Sequence, residues 1–385
     1  MEIGITDIIK TLQLETTMPS IIVRKSLITR ISVSLDEILA RLQNGQELNQ
    51  KYKSLSKNAS DRIINAPETF YTVLRQINFS KEQPEDYFLS YISDAINIEL
   101  SNEGAEISFD QPAWSAQGDI YVPAGVWNLN TLPHTNSQYN PDQVFFSKKI
   151  HNIIIDSSSP RIVRMSESEK NEGFLSETLN YASPEEIDIV LPKIEQALDI
   201  LKSTSKVVYF IIVSNIKSIY IVSDKRDCFN AISRGAEIGR VALHNAHRAD
   251  VDVPLIMNSL LHEAIHSFLF SFEQSTPIIN HAIYKDERLV PSPWTGCPLT
   301  VHTYLHACCV WWGLVNLWNS VVDQLPEDIK PGARQLLSTA QKGFQTGKVL
   351  SNLLPYKDQV SPDVFSLMEK IPMGNDILDK NKKWV

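Results

Sequence analysis

The chain has 385 residues, 43% of them apolar and 21% charged, with 14 Gly and 20 Pro, which is the composition of a globular protein and excludes disordered and fibrous classes. Its 36 basic and 45 acidic residues leave a net charge of −9, so the basic face that phosphate backbones require is not expected, and nucleic acid is not an expected partner. No run approaches the roughly 20 apolar residues of a membrane span, and the opening MEIGITDIIKTLQLE lacks the basic-then-apolar order of a signal peptide, so a cytoplasmic protein without a membrane partner is expected.

Helical spacing of apolar residues predicts helices over Ile5 to Leu14, Leu27 to Leu42, Phe70 to Ile77 and Ser90 to Leu100, separated by polar stretches. From Ile107 the character changes. ISFDQPAW, GDIYVPAGVW, QVFFSKKIHNIIIDS and PRIVRM are short runs of β-branched and aromatic residues broken by Pro, Gly and Asn, and they predict strands. The acid-rich SESEKNEGFLSE reads as a solvated loop. A helix is expected from Pro184 to Lys202, with Ser183 as its N-cap and proline in its first turn. KVVYFIIVSN (Lys206 to Asn215), SIYIVSD (Ser218 to Asp224) and GRVALHN (Gly239 to Asn245) read as three strands. The remainder reads as helices at Pro254 to Phe272, Leu299 to Val322, Gly332 to Leu354 and Pro362 to Lys370. The expected fold is therefore α+β: a helical N-terminal region (1–100) suited to engaging a substrate, then a catalytic domain (101–385) with a strand-rich middle and a mainly helical, metal-binding C-terminal part.

The chemistry concentrates in LLHEAIHSF. His262, Glu263 and His266 form H-E-x-x-H, and on a helix positions i and i+4 share a face, so both imidazoles can reach one metal ion. Ile256, Leu260, Leu261, Ala264, Ile265, Phe268, Leu269 and Phe272 give that helix a broad apolar face. Burying histidines and a carboxylate is costly without partners, and a cation supplies them. A third ligand must come from beyond the helix, and the candidates are Glu287 and His306. His302 lies one turn before His306, as its neighbour or an alternative ligand; His281 is not expected to bind, and His244 and His247 read as surface residues. The four cysteines are too few for a disulfide framework and are read as buried free thiols, and Trp311, Trp312 and Trp318 as core.

The stretch from Asp286 to Trp318, taken with LLHEAIHSF, resembles the HExxH-motif peptide-modification family, which includes 2-oxoglutarate-dependent peptide β-hydroxylases. The likeness covers roughly residues 230 to 320 and rests on Glu287-Arg288, Pro293-Trp294, Leu305-His306-Ala307, Gly313, Trp318 and the pair Ser233-Arg234. It implies iron(II) held by His262, His266 and His306, with Glu263 beside the ligands, and 2-oxoglutarate and dioxygen as co-substrates. It further implies a ribosomally made precursor peptide as partner, hydroxylated at a side-chain β-carbon. The family often has a basic residue after the Pro-Trp pair, where this chain has Thr295, so the guanidinium for the co-substrate's distal carboxylate is assigned to Arg288 or Arg234, with Trp294 walling the pocket. Two other readings use the same residues. A zinc metallopeptidase would take Glu263 as base and Glu287 as third ligand; a non-catalytic peptide-binding protein would keep only a relic metal site.

Overall fold

A computed structural model describes residues 4–42, 45–78, 85–133, 139–160, 179–225, 228–279 and 289–371. The fold is α+β, as the sequence indicates. Its two compact units are interleaved along the chain rather than divided near residue 100: the first comprises Met1–Lys25, Lys193–Asn215 and Asp250–Val385, the second Ser26–Pro192 and Ile216–Ala249.

The second unit holds the sheet. Strands β1 (Ile107–Phe109) and β4 (Gly125–Trp127) form an antiparallel ribbon, and β2 (Ala113–Trp114), β3 (Ile120–Val122) and β5 (Phe145–Phe146) a small antiparallel sheet. The larger sheet runs β10 (Asn230–Ile232), β11 (Arg240–His244), β9 (Ser218–Asp224), β7 (Ile153–Asp156), β6 (Lys149–Ile150), with β8 (Leu179–Tyr181) also pairing along β9. Its centre is parallel: β9 pairs in parallel with β11 and with β7, while β10, β6 and β8 join antiparallel. Ser218 to Val222 of β9 are all buried, as expected of a parallel strand covered on both faces. PRIVRM beyond Pro160 and the acid-rich stretch after it lie outside the described residues.

Two helices of this unit, Gly45–Ser54 and Lys57–Ile64, occupy a stretch expected to be polar connection. Their apolar stripes are short, and one local signal marks the second: the Ser56 hydroxyl accepts a hydrogen bond from the Ala59 amide at 3.2 Å. That helix places Arg62 between two buried carboxylates, Glu99 and Asp119, each at 2.9 Å, with Lys149 at 2.8 Å from Asp119. Burial alone would raise the Asp119 pKa, but Arg62 and Lys149 outweigh it and hold the group below the usual carboxylate range. His244, expected at the surface, is fully buried at the end of β11, its Nδ1 3.2 Å from Asp224 Oδ2. His247 is half-buried, 3.3 Å from Glu186.

The helix expected after Ser183 spans Pro184–Thr204, and its start is a reciprocal capping box: Ser183 Oγ accepts from the Glu186 amide at 3.3 Å while Glu186 Oε2 accepts from the Ser183 amide at 2.7 Å.

The first unit is mainly helical, with one short antiparallel ribbon, Val290–Pro291 against Pro298–Leu299. KVVYFIIVSN, read above as a strand, is the helix Lys206–Asn215. A continuous apolar run fits either element, and the burial pattern identifies which one the chain adopts: Val208, Ile211, Ile212 and Asn215 are buried at helical spacing while Phe210 is exposed. Asn215 closes the helix, donating to the Ile211 carbonyl at 2.8 Å and to Ser20 Oγ at 2.6 Å. The expected helix Gly332 to Leu354 is two, Lys330–Gln345 and Lys348–Leu353, broken at Gly347, whose φ of +67° is the left-handed conformation open to glycine. Pro362–Lys370 matches its expected bounds.

Candidate metal centre

Two long helices of the first unit carry the site. The motif helix, Val253–Glu273, begins at Asp252, whose carboxylate accepts from the Leu255 amide at 2.9 Å, and has Pro254 in its first turn. The second histidine helix, Val301–Val321, begins at Thr300, whose hydroxyl accepts from the Thr303 amide at 3.2 Å. A hydrogen bond from Trp318 Nε1 to Asn258 Oδ1 (3.0 Å) joins them. Gly313 lets them approach closely, because a Cβ there would lie 2.4 Å from Ile265 Cδ1. The approach brings opposed pairs of histidines into contact.

The imidazoles form a ladder. His262 Nε2 and His266 Nε2 are 3.2 Å apart. On the other edge of the same ring, His266 Nδ1 is 3.1 Å from His306 Nδ1. His306 Nε2 is 3.1 Å from Glu273 Oε1, and His302 Nε2 is 2.8 and 3.0 Å from the two oxygens of that carboxylate. Two ligands about 2.1 Å from one ion at a right angle stand about 3 Å apart, so these separations suit neighbouring positions on a cation. His266 can offer one nitrogen to a given ion. A cation on the His262–His266 pair therefore takes Nε2 of both, and His306 stands on the opposite edge of His266.

Burial sets the charge of these rings. It pushes His262 down to about 4, and it holds His266 well below its ordinary value, with His262, His306 and His302 adding to the shift. His306 is also lowered by burial, which outweighs the opposing effect of Glu273. All three rings are neutral at physiological pH, the form in which imidazole binds metal. Burial would raise Glu273, but hydrogen bonds from His302 and His306 bring it down to about 2, so it is a carboxylate. Cys308 and Cys309 are buried on the second histidine helix, and burial raises Cys309 to about 12, away from the thiolate a metal requires; Cys228 and Cys297 are exposed rather than buried.

The walls are aromatic. Phe270 lies against His306 (ring centroids 4.9 Å apart) and parallel to His266 (5.9 Å), and Trp311 meets His262 edge-on at 6.2 Å. Trp294 stacks on Trp311 at 5.5 Å and donates its Nε1 hydrogen to the Ala340 carbonyl at 2.8 Å. Gly343 makes room for that indole, since a Cβ there would fall 2.2 Å from Trp294 Cε2.

Among the residues singled out from the sequence, His262, His266, His306, His302 and Trp294 are thus gathered here. Glu263 is buried, its carboxylate 3.9 Å from His262 Nε2. Arg234 belongs to the second unit, where it precedes the short 3-10 turn Gly235–Glu237. Arg288, Glu287 and His281 lie outside the described residues. Glu273 was not singled out, although it stands two helical turns beyond His266 on the same face, and that spacing is its one sequence signal. No protein-family model matches the chain, and no curated protein matches its sequence.

Proposed function

We propose that the chain is an iron(II)- and 2-oxoglutarate-dependent hydroxylase acting on a side-chain β-carbon of a ribosomally made precursor peptide. The observation that carries the reading is the pair of imidazole Nε2 atoms of His262 and His266, 3.2 Å apart on one helix face, with the His306 ring on the other edge of His266. The likeness of residues 230 to 320 to the HExxH peptide-modification family supports the choice of oxidation over hydrolysis.

His262 and His266 would hold the cation through Nε2, with His306 the third imidazole of the cluster. Bound iron(II) supplies a Lewis-acidic centre with open positions for a chelating 2-oxoacid and for dioxygen. The chain's own residues prepare that centre. Burial keeps the rings unprotonated, so no proton competes for their lone pairs. The Trp311 indole packs edge-on to His262 with Trp294 stacked on it, and Phe270 packs against His306. Glu263, buried beside His262, is an acceptor that orients a donor group next to the ligand pair. A guanidinium binds a distal carboxylate in a bidentate manner, and the likeness offers Arg288 for that role.

The test is incubation of the chelator-stripped protein with iron(II), 2-oxoglutarate and air, with succinate as readout. Succinate that disappears in His262→Ala and His266→Ala supports the reading. Absence of succinate, together with zinc-dependent cleavage of casein that is lost in Glu263→Gln, would replace it with the peptidase.

A further inference from the structure

The motif pair does not use the far end of the ladder. Glu273, His302 and His306 each offer one ligand atom, and these atoms lie within 4.8 Å of one another. His302 and His306 sit one turn apart on the second histidine helix, with ring centroids 4.4 Å apart, and Glu273 closes the set from the last turn of the motif helix. Separations of 2.8 to 3.1 Å between the carboxylate oxygens and the two Nε2 atoms match cis positions around a divalent ion.

The Glu273 side chain is only 10% exposed, yet among the described residues its partners are two imidazoles and no lysine or arginine. A largely buried carboxylate is costly unless it is paired or coordinates a metal. Two imidazoles and one carboxylate are also a donor set that iron(II), zinc and related ions accept. His302, 19% exposed at its side chain, leaves the cluster open to an ion from solvent, whereas His306, at 1%, is its inner wall.

We propose that Glu273, His302 and Nε2 of His306 form a second divalent-cation site, separate from the His262–His266 pair and linked to it through the two ring edges of His306 and His266. The inference goes beyond the hydroxylase reading and does not need it, because it concerns how many ions the histidine ladder holds and not what they catalyse.

The experiment uses the full chain, stripped by chelator and titrated with cobalt(II), followed by the visible ligand-field bands and by bound metal per chain after equilibrium dialysis. Two ions per chain and a titration with two breaks are expected in the natural sequence. Glu273→Gln combined with His302→Gln should halve the metal content to one ion, and His262→Gln combined with His266→Gln should also leave one, at the Glu273 site. One ion in the natural sequence, unchanged by the Glu273→Gln and His302→Gln pair, would overturn the second site while leaving the motif pair intact. No bound ion in the unmutated protein would overturn both this site and the metal-dependent function. Because the two-break titration is read on the unmutated protein, misfolding of a variant cannot mask the answer.

Discussion

An imidazole binds metal only through an unprotonated nitrogen, and His306 has one edge toward His266 and the other toward Glu273. Replacing it removes a ring from both halves of the ladder. His306→Ala is therefore expected to abolish succinate formation, while His302→Ala, which removes a ring at the Glu273 end, should retain it; normal turnover in His306→Ala would remove this ring from the catalytic set. A second residue-scale expectation concerns Asp119, in the second unit. Its folded pKa lies below that of an unfolded aspartate, about 3.9, so its ion pairs with Arg62 and Lys149 contribute fully above about pH 4. As pH falls further, the unfolded chain takes up a proton that the folded chain resists, and stability drops. Urea midpoints measured from pH 7 down to pH 2 should show a shallower acid decline in Asp119→Asn, along with lower stability at pH 7. Arg62→Met is expected to be costlier, by about 3 to 5 kcal/mol, because it strips Glu99 of its cation and leaves Asp119 with Lys149 alone.

At the scale of elements, the site depends on two glycines that allow bulky neighbours to approach. Gly343→Ala would place a methyl carbon 2.2 Å from the Trp294 ring, which is rigid and held by its hydrogen bond to Ala340. The indole must move, so thermal unfolding should show a loss of about 1 to 3 kcal/mol together with a shifted tryptophan emission. Unchanged emission would contradict the packing of Trp294 between Gly343 and Trp311. The motif helix was legible because its information is local: a proline at its start, a broad apolar face and histidines four apart. The same local logic located His302 and His306. Glu273 was missed because a carboxylate at a helix end ordinarily faces water, and only the packing of a second helix turns it toward two imidazoles. Lys206–Asn215 was misread for a related reason, since β-branched apolar runs fit a buried strand as well as a buried helix and only the burial pattern of the folded chain distinguishes them. The helices Gly45–Ser54 and Lys57–Ile64 carried too few apolar residues to declare a period.

For the whole molecule, the α+β class followed from composition and alternation, but the interleaving of two compact units did not, because it depends on contacts between segments distant in sequence. Among the described residues no helix is long and apolar enough to cross a membrane. The claim on which the account rests is that a divalent cation binds the paired nitrogens of His262 and His266. Diffraction data collected on either side of the iron absorption edge, from crystals of the protein loaded with iron(II) without oxygen, test it directly. An anomalous peak within bonding distance of Nε2 of both His262 and His266 is expected. A map with no peak at that pair, with the two rings instead hydrogen-bonded to each other, would contradict it.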